Sequence, residues 1–141
     1  MGKRKLKVIL DTNVLVSSIL FGGEFQKILD SLKANKFSLI FSKDTFQEFV
    51  KVLHYPKFKL TEEEIESIIA FYVLPYSKII DDITIKLNED VCRDKHDIKF
   101  LELVLSAKAD YLITGDKDIL EIKNNFKFKI LTPKEFIKIL D

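Results

Sequence analysis

The chain has 141 residues, 47% apolar and 32% charged, a balance that excludes a disordered or membrane-embedded protein and points to a soluble globular unit with one core. A formal net charge of +1 argues against nucleic-acid binding through overall field. With Cys92 as the lone cysteine and only His54 and His96 as imidazoles, an internal disulfide and a zinc cluster are excluded, so any metal would be held by oxygens.

The basic start Met1-Gly2-Lys3-Arg4-Lys5 precedes an apolar stretch that Lys7 interrupts and Asp11 ends. That stretch is too short for a signal-peptide core or a membrane span, so a cytoplasmic protein without membrane contact is expected. It reads instead as a strand, residues 6–10, and similar runs of β-branched and aromatic residues predict strands at 37–41, 77–80, 111–114 and 128–131. Between them, Phe25, Ile28, Leu29 and Leu32 recur at helical spacing over 24–36, as do Phe46, Phe49, Val50 and Leu53 over 44–53. Thr61 with Glu64 forms a capping-box pattern ahead of Ile65, Ile68, Ile69 and Tyr72, which predicts a helix over 61–73. Residues 98–109 are apolar nearly all round, the mark of a helix covered on two sides. Thr132-Pro133 opens a last helix through Phe136, Ile137 and Leu140. Strands alternating with helices imply a parallel sheet with helices on both faces, in a single unit spanning 1–141. Lys3, Arg4, Lys5 and Lys7, with Lys123, Lys127, Lys129 and Lys134, could form either a basic rim or a solvated lysine-rich surface.

Four carboxylates stand out against this layout. Asp11 ends the first strand, Asp97 opens the long apolar helix, Asp116 follows the fourth strand, and Glu48 lies within the helix over 44–53. An acid at an element end is ordinarily a helix cap. Convergence favours more than capping, because ligands of open parallel sheets bind beyond the carboxyl ends of the strands near the point where strand order reverses.

Val8-Ile9-Leu10-Asp11-Thr12-Asn13-Val14-Leu15-Val16-Ser17 resembles the opening motif of PIN-domain nucleases. Arg93-Asp94-Lys95-His96-Asp97 and Thr114-Gly115-Asp116-Lys117-Asp118 resemble their later acidic motifs. The likeness covers nearly the whole chain and is to the VapC-like toxin components of prokaryotic toxin–antitoxin pairs in particular. It implies a three-layer α/β/α sandwich around a mostly parallel five-stranded sheet of order 3-2-1-4-5. It further implies a magnesium- or manganese-dependent endoribonuclease, an RNA substrate, an antitoxin partner and a homodimer.

By that resemblance Asp11, Glu48, Asp97 and Asp116 form the catalytic metal site. Hard cations take oxygen ligands, and magnesium keeps several waters beside one or two carboxylates. Asp94 is the better helix cap and Asp97 the better ligand, though the two could exchange roles. Asp118 is either a further oxygen ligand or the start of a short helical turn. Glu48 is a ligand by resemblance alone, since its position on the helical wheel opposes the Phe46, Phe49, Val50 stripe. Thr12, Asn13, Ser17 and Thr114 can hydrogen-bond the carboxylates and hold them, with local backbone bonding as the alternative. His96 has no identifiable orienting partner and reads as an exposed residue at a helix start. Relatives often carry an additional acid where this chain has Lys95 and His96, which bears on whether a second metal is held.

Two rivals remain. A receiver-type phosphoryl-accepting module would need paired acids after its first strand and a lone acceptor after its third, which this spacing lacks. A non-cutting RNA- or protein-binding member of the same fold would be expected to lose one or more of the four acids, and all four are present.

Overall fold

The computed structural model describes residues 5–140. Lys3 and Arg4 of the possible basic rim lie outside the described residues. Strands β1 (Leu6–Leu10), β2 (Phe37–Ser42), β3 (Ser77–Ile80), β4 (Tyr111–Ile113) and β5 (Lys129–Leu131) form one sheet in the order β3-β2-β1-β4-β5. Every neighbouring pair is parallel, with Leu6 opposite Phe37 and Leu10 opposite Ile113.

Alternation along the strands sorts the core into two layers. Val8, Leu10, Leu39, Phe41 and Ile113 point to one face, where α1 (Thr12–Leu20), α2 (Gln26–Lys33), α3 (Lys43–Leu53), α4 (Glu62–Ser67) and α7 (Pro133–Leu140) cover them. Ile9, Ile40, Leu112 and Ile130 point the other way and meet α5 (Ile98–Ala107) and α6 (Lys117–Leu120). The result is the expected three-layer sandwich. Phe37 and Phe136 meet edge to face at 5.3 Å between centroids, both fully buried. Each such ring contributes about 1.5–3 kcal/mol through burial. No helix among the described residues is long and apolar enough to cross a membrane.

Several local expectations are met. The Thr61 hydroxyl accepts from the Glu64 backbone N–H, and the Glu64 carboxylate accepts from the Thr61 N–H. The helix expected over 61–73 starts there but changes at Ile68 into a π-helical stretch through Val73. Ser42 and Thr45 make a second capping box at the head of α3, so that helix begins at Lys43. The segment expected from residue 24 opens as a 3-10 turn and becomes α-helical at Gln26. The nine-residue α1 had no counterpart among the expected helices; it follows β1 directly, capped by Asp11.

Because the sheet is parallel, all strands end at one pole. Sequence order runs outward from β1 to β2 and β3 on one side and to β4 and β5 on the other. The gap beyond Leu10 and Ile113 is therefore the place where strand order reverses, and it opens toward Asp11 and Asp116.

Candidate active site

Asp11 leaves β1 as the N-cap of α1, its Oδ1 accepting from the Asn13 N–H at 3.3 Å. The buried Thr114 hydroxyl donates to Asp11 Oδ2 at 2.7 Å and accepts from the Asp116 N–H at 3.0 Å. One threonine thus ties together the ends of two adjacent strands. Asp116 caps α6 by accepting from the Asp118 N–H at 2.8 Å. Asp11 and Asp116 both perform the ordinary capping task and both line a common cleft, so capping does not keep either from facing it.

Asp97 closes a 3-10 turn at the head of α5 and is only 5% exposed. Its Oδ2 is buried and receives no hydrogen bond. The neighbouring Asp116 carboxylate brings no hydrogen of its own, so the contact needs a proton kept by Asp97 or a cation. Burial, and then the approach and charge of Asp116 with further charge from Asp94 and Asp11, push the Asp97 carboxyl up to about 8. Asp94 caps the same turn, accepting from the His96 N–H at 2.9 Å, as expected of it. Ligand oxygens of Asp94, Asp97 and Asp116 all lie within 4.8 Å of one another. Burial also raises the Asp11 carboxyl, opposed by the Thr114 and Asn13 hydrogen bonds and reinforced by the charges of Asp116 and Glu48.

Glu48 reaches the same cleft from α3. Its side chain is 12% exposed, not solvated as its place on the helical wheel suggested. The buried line of α3 is Thr45, Phe49 and Leu53, and Glu48 lies on the flank of that line against which α1 and α5 pack. Thr12 donates to Oε2, Lys99 donates to Oε1 at 2.5 Å, and His96 contacts Oε1 through Nε2. Burial works against ionisation of Glu48, but the hydrogen bonds from Lys99 and Thr12 and the charges of Lys99 and His96 outweigh it and lower its pKa.

The cleft, of about 430 Å³, is lined by Asp11, Glu48, Asp94, Asp97 and Asp116, with Thr12, Asn13 and Lys99 among them. All four expected acids converge, and Asp94 joins them. Asp118 does not line it: its carboxylate stands 3.7 Å from Arg93, while its backbone lies in the first turn of α6. Thr12 and Thr114 hold carboxylates as expected. Asn13 does so only through its backbone, and Ser17 makes no such bond, since one turn further along α1 it faces an adjoining hollow. Lys123, Lys127 and Lys129 gather at the start of β5, the pole of the parallel sheet opposite the acids, whereas Lys134 follows the end of β5. The expected lysine groups therefore make no single rim around the cleft.

Sequence reasoning missed Lys99 and the partner of His96. The available signal was their spacing of three on the head of an otherwise apolar helix, which puts both on one face. A carboxylate cluster with a buried, unpartnered oxygen suits a hard divalent cation, and the all-oxygen donor set matches magnesium or manganese chemistry.

Comparison with known proteins agrees with this layout. A family described as PIN domain matches residues 7–118. An uncharacterized protein of Methanocaldococcus jannaschii is 33% identical over 147 residues, covering 98% of this chain and 94% of its own length.

Proposed function

The chain belongs to the PIN domain family, and from that membership we propose that it is a metal-dependent endoribonuclease acting as the toxin of a toxin–antitoxin pair. The observation that carries the nuclease reading is the cluster of Asp94, Asp97 and Asp116, with ligand oxygens within 4.8 Å of one another and one Asp97 oxygen, Oδ2, buried without a partner, at the reversal point of the sheet. Asp97 and Asp116, with Asp94 and Asp11 beside them, would hold Mg2+ or Mn2+. When bound, such an ion activates water for attack on a phosphodiester and offsets charge developing on the phosphate. Thr114 keeps Asp11 and Asp116 aligned, and Thr12 orients Glu48, so the acids keep their positions before any ligand arrives. Asp11, Glu48, Asp97 and Asp116 are the residues on which we propose that cleavage depends.

Support for the toxin reading comes from the motif resemblance and from an amphipathic groove between α1, α2 and α4. Ile19, Leu20, Leu29, Leu60, Ile68 and Tyr72 form its apolar floor and Gln26, Lys33, Glu63, Glu64 and Ser67 its polar rim, a surface suited to an amphipathic antitoxin segment. Exposed Phe71 and Leu74, with Ile79 on edge strand β3, offer apolar surface that a second copy would cover in a homodimer.

The test is incubation of a mixed single-stranded and structured RNA pool with purified protein in manganese, magnesium or EDTA, beside Asp11→Asn and Asp116→Asn. Metal-dependent cutting that both variants lose is the expected result. RNA retention without cutting by the wild type would replace this reading with that of a binding module.

A further inference from the structure

We infer that Lys99 is a built-in cation of this cleft, standing at Glu48 in place of a second metal ion, so that the protein works with one divalent ion seated at Asp94, Asp97 and Asp116. The inference rests on the nuclease reading and deepens it.

Glu48 and the acid trio face one cleft in opposite electrostatic conditions. Both oxygens of Glu48 are engaged, Oε2 by Thr12 and Oε1 by Lys99 at 2.5 Å with His96 against it. An incoming divalent ion would meet the Lys99 ammonium on the oxygen it needs, a like charge at close range. At the trio the balance is reversed, since Asp97 Oδ2 has no partner and the three carboxylates crowd together. The first ion therefore belongs at the trio, and the Glu48 position is already neutralised.

Lys99 is also held rather than sweeping through solvent. Its side chain is 24% exposed, it rises from the first turn of α5 two residues after Asp97, and its anchor Glu48 is fixed on α3 by Thr12 of α1. An ammonium has three N–H donors; Glu48 Oε1 takes one and His96 Nε2 stands 3.3 Å from the nitrogen, which leaves at least one donor for a phosphate oxygen entering the cleft. In two-metal hydrolysis the second ion steadies the departing oxygen. A fixed ammonium supplies positive charge for the same purpose. Atoms balance with one water consumed: its oxygen forms the new bond to phosphorus, the ester P–O bond breaks, and the water's proton ends on the departing oxygen whose charge Lys99 offsets.

The experiment is calorimetric titration of the full chain with Mn2+ alone, for wild type, Lys99→Met, Lys99→Arg and Glu48→Gln, with RNA cleavage measured on the same samples. Wild type should bind one ion per chain. Lys99→Met should bind two, because Glu48 is released, and its cleavage should fall about 100-fold at Mn2+ that fills only the first site, the usual loss on removing one charge-stabilising donor. That loss should recover as the second ion binds. Lys99→Arg should keep one ion, and Glu48→Gln should also keep one ion, bound more weakly because the Lys99 charge is no longer offset. Two ions in the wild type, a Lys99→Met count that stays at one, or loss of the single ion in Lys99→Arg overturns the inference. Should Lys99→Met not fold, the wild-type and Lys99→Arg ion counts still decide it. If the wild type cuts no RNA, the nuclease reading fails while the ion count still decides the place of Lys99.

Discussion

Replacing Asp97 with Asn should stabilise the metal-free protein increasingly as pH rises. In the folded chain Asp97 holds its proton up to about 8, against an ordinary value of 3.8 that applies once the chain unfolds. Between those values the folded state carries the proton and the unfolded state does not, so stability is present at the acid end and is lost as pH rises through the window. Each pH unit removes about 1.4 kcal/mol for one whole proton, so moving from about pH 5 to about pH 7 costs roughly 3 kcal/mol. For a domain of this size that is a fall of about 9 °C in Tm, at about 3 °C per kcal/mol. Asn keeps the side-chain shape, can donate to the Asp116 carboxylate, and removes the titration. The assay is thermal unfolding in EDTA of wild type and Asp97→Asn across this range. His54 is raised by its bond to the Val50 carbonyl and slopes the same way in either protein, so it cancels in the difference, whereas Asp11, whose charge acts on Asp97, belongs to the effect being measured. The gap between the two curves should widen with pH, and Mn2+ should flatten the wild-type curve by taking the proton's place. Curves that stay parallel would refute the account of Asp97.

Asp11→Asn should lower RNA cleavage by more than about 100-fold while leaving the far-UV spectrum and unfolding cooperativity intact, because a ligand charge is lost and the shape kept; undiminished cutting would remove Asp11 from the site. Thr114→Val should cost about 1–3 kcal/mol in denaturant unfolding, since it strips Asp11 of a donor and leaves the Asp116 N–H unpaired, and should weaken Mn2+ binding about 10-fold or more in titration. Mn2+ binding should release protons at neutral pH, read as a binding heat that varies with the ionisation enthalpy of the buffer, and heats independent of buffer would contradict a protonated Asp97. Phe37→Ala should destabilise by about 3–5 kcal/mol through its cavity, with Mn2+ affinity of the folded protein unchanged because the ring packs at the amino end of β2, away from the acids.

The legible part of this molecule is the part governed by short-range rules. The five strands, the Thr61 capping box and the positions of Asp11, Asp94, Asp97 and Asp116 at element ends follow from alternation and capping, which act over a few residues. Helix α1 escaped because Val14, Leu15 and Val16 continue the apolar run of β1 without helical periodicity. The π-helical turn at Ile68–Val73 has no local signature, since its stripe matches that of the α-helix before it.

By itself, then, the sequence determined the layered parallel sheet and the acids at its carboxyl ends, because the pattern that buries a strand also dictates where it must stop. Only the tertiary structure decided that Glu48 leaves solvent to meet Thr12, Lys99 and His96, that Asp118 turns to Arg93, and that Asp97 is left holding a proton against Asp116. Each of those outcomes depends on which helices pack together and on charge acting through space, and neither quantity is written in the spacing of residues along one chain.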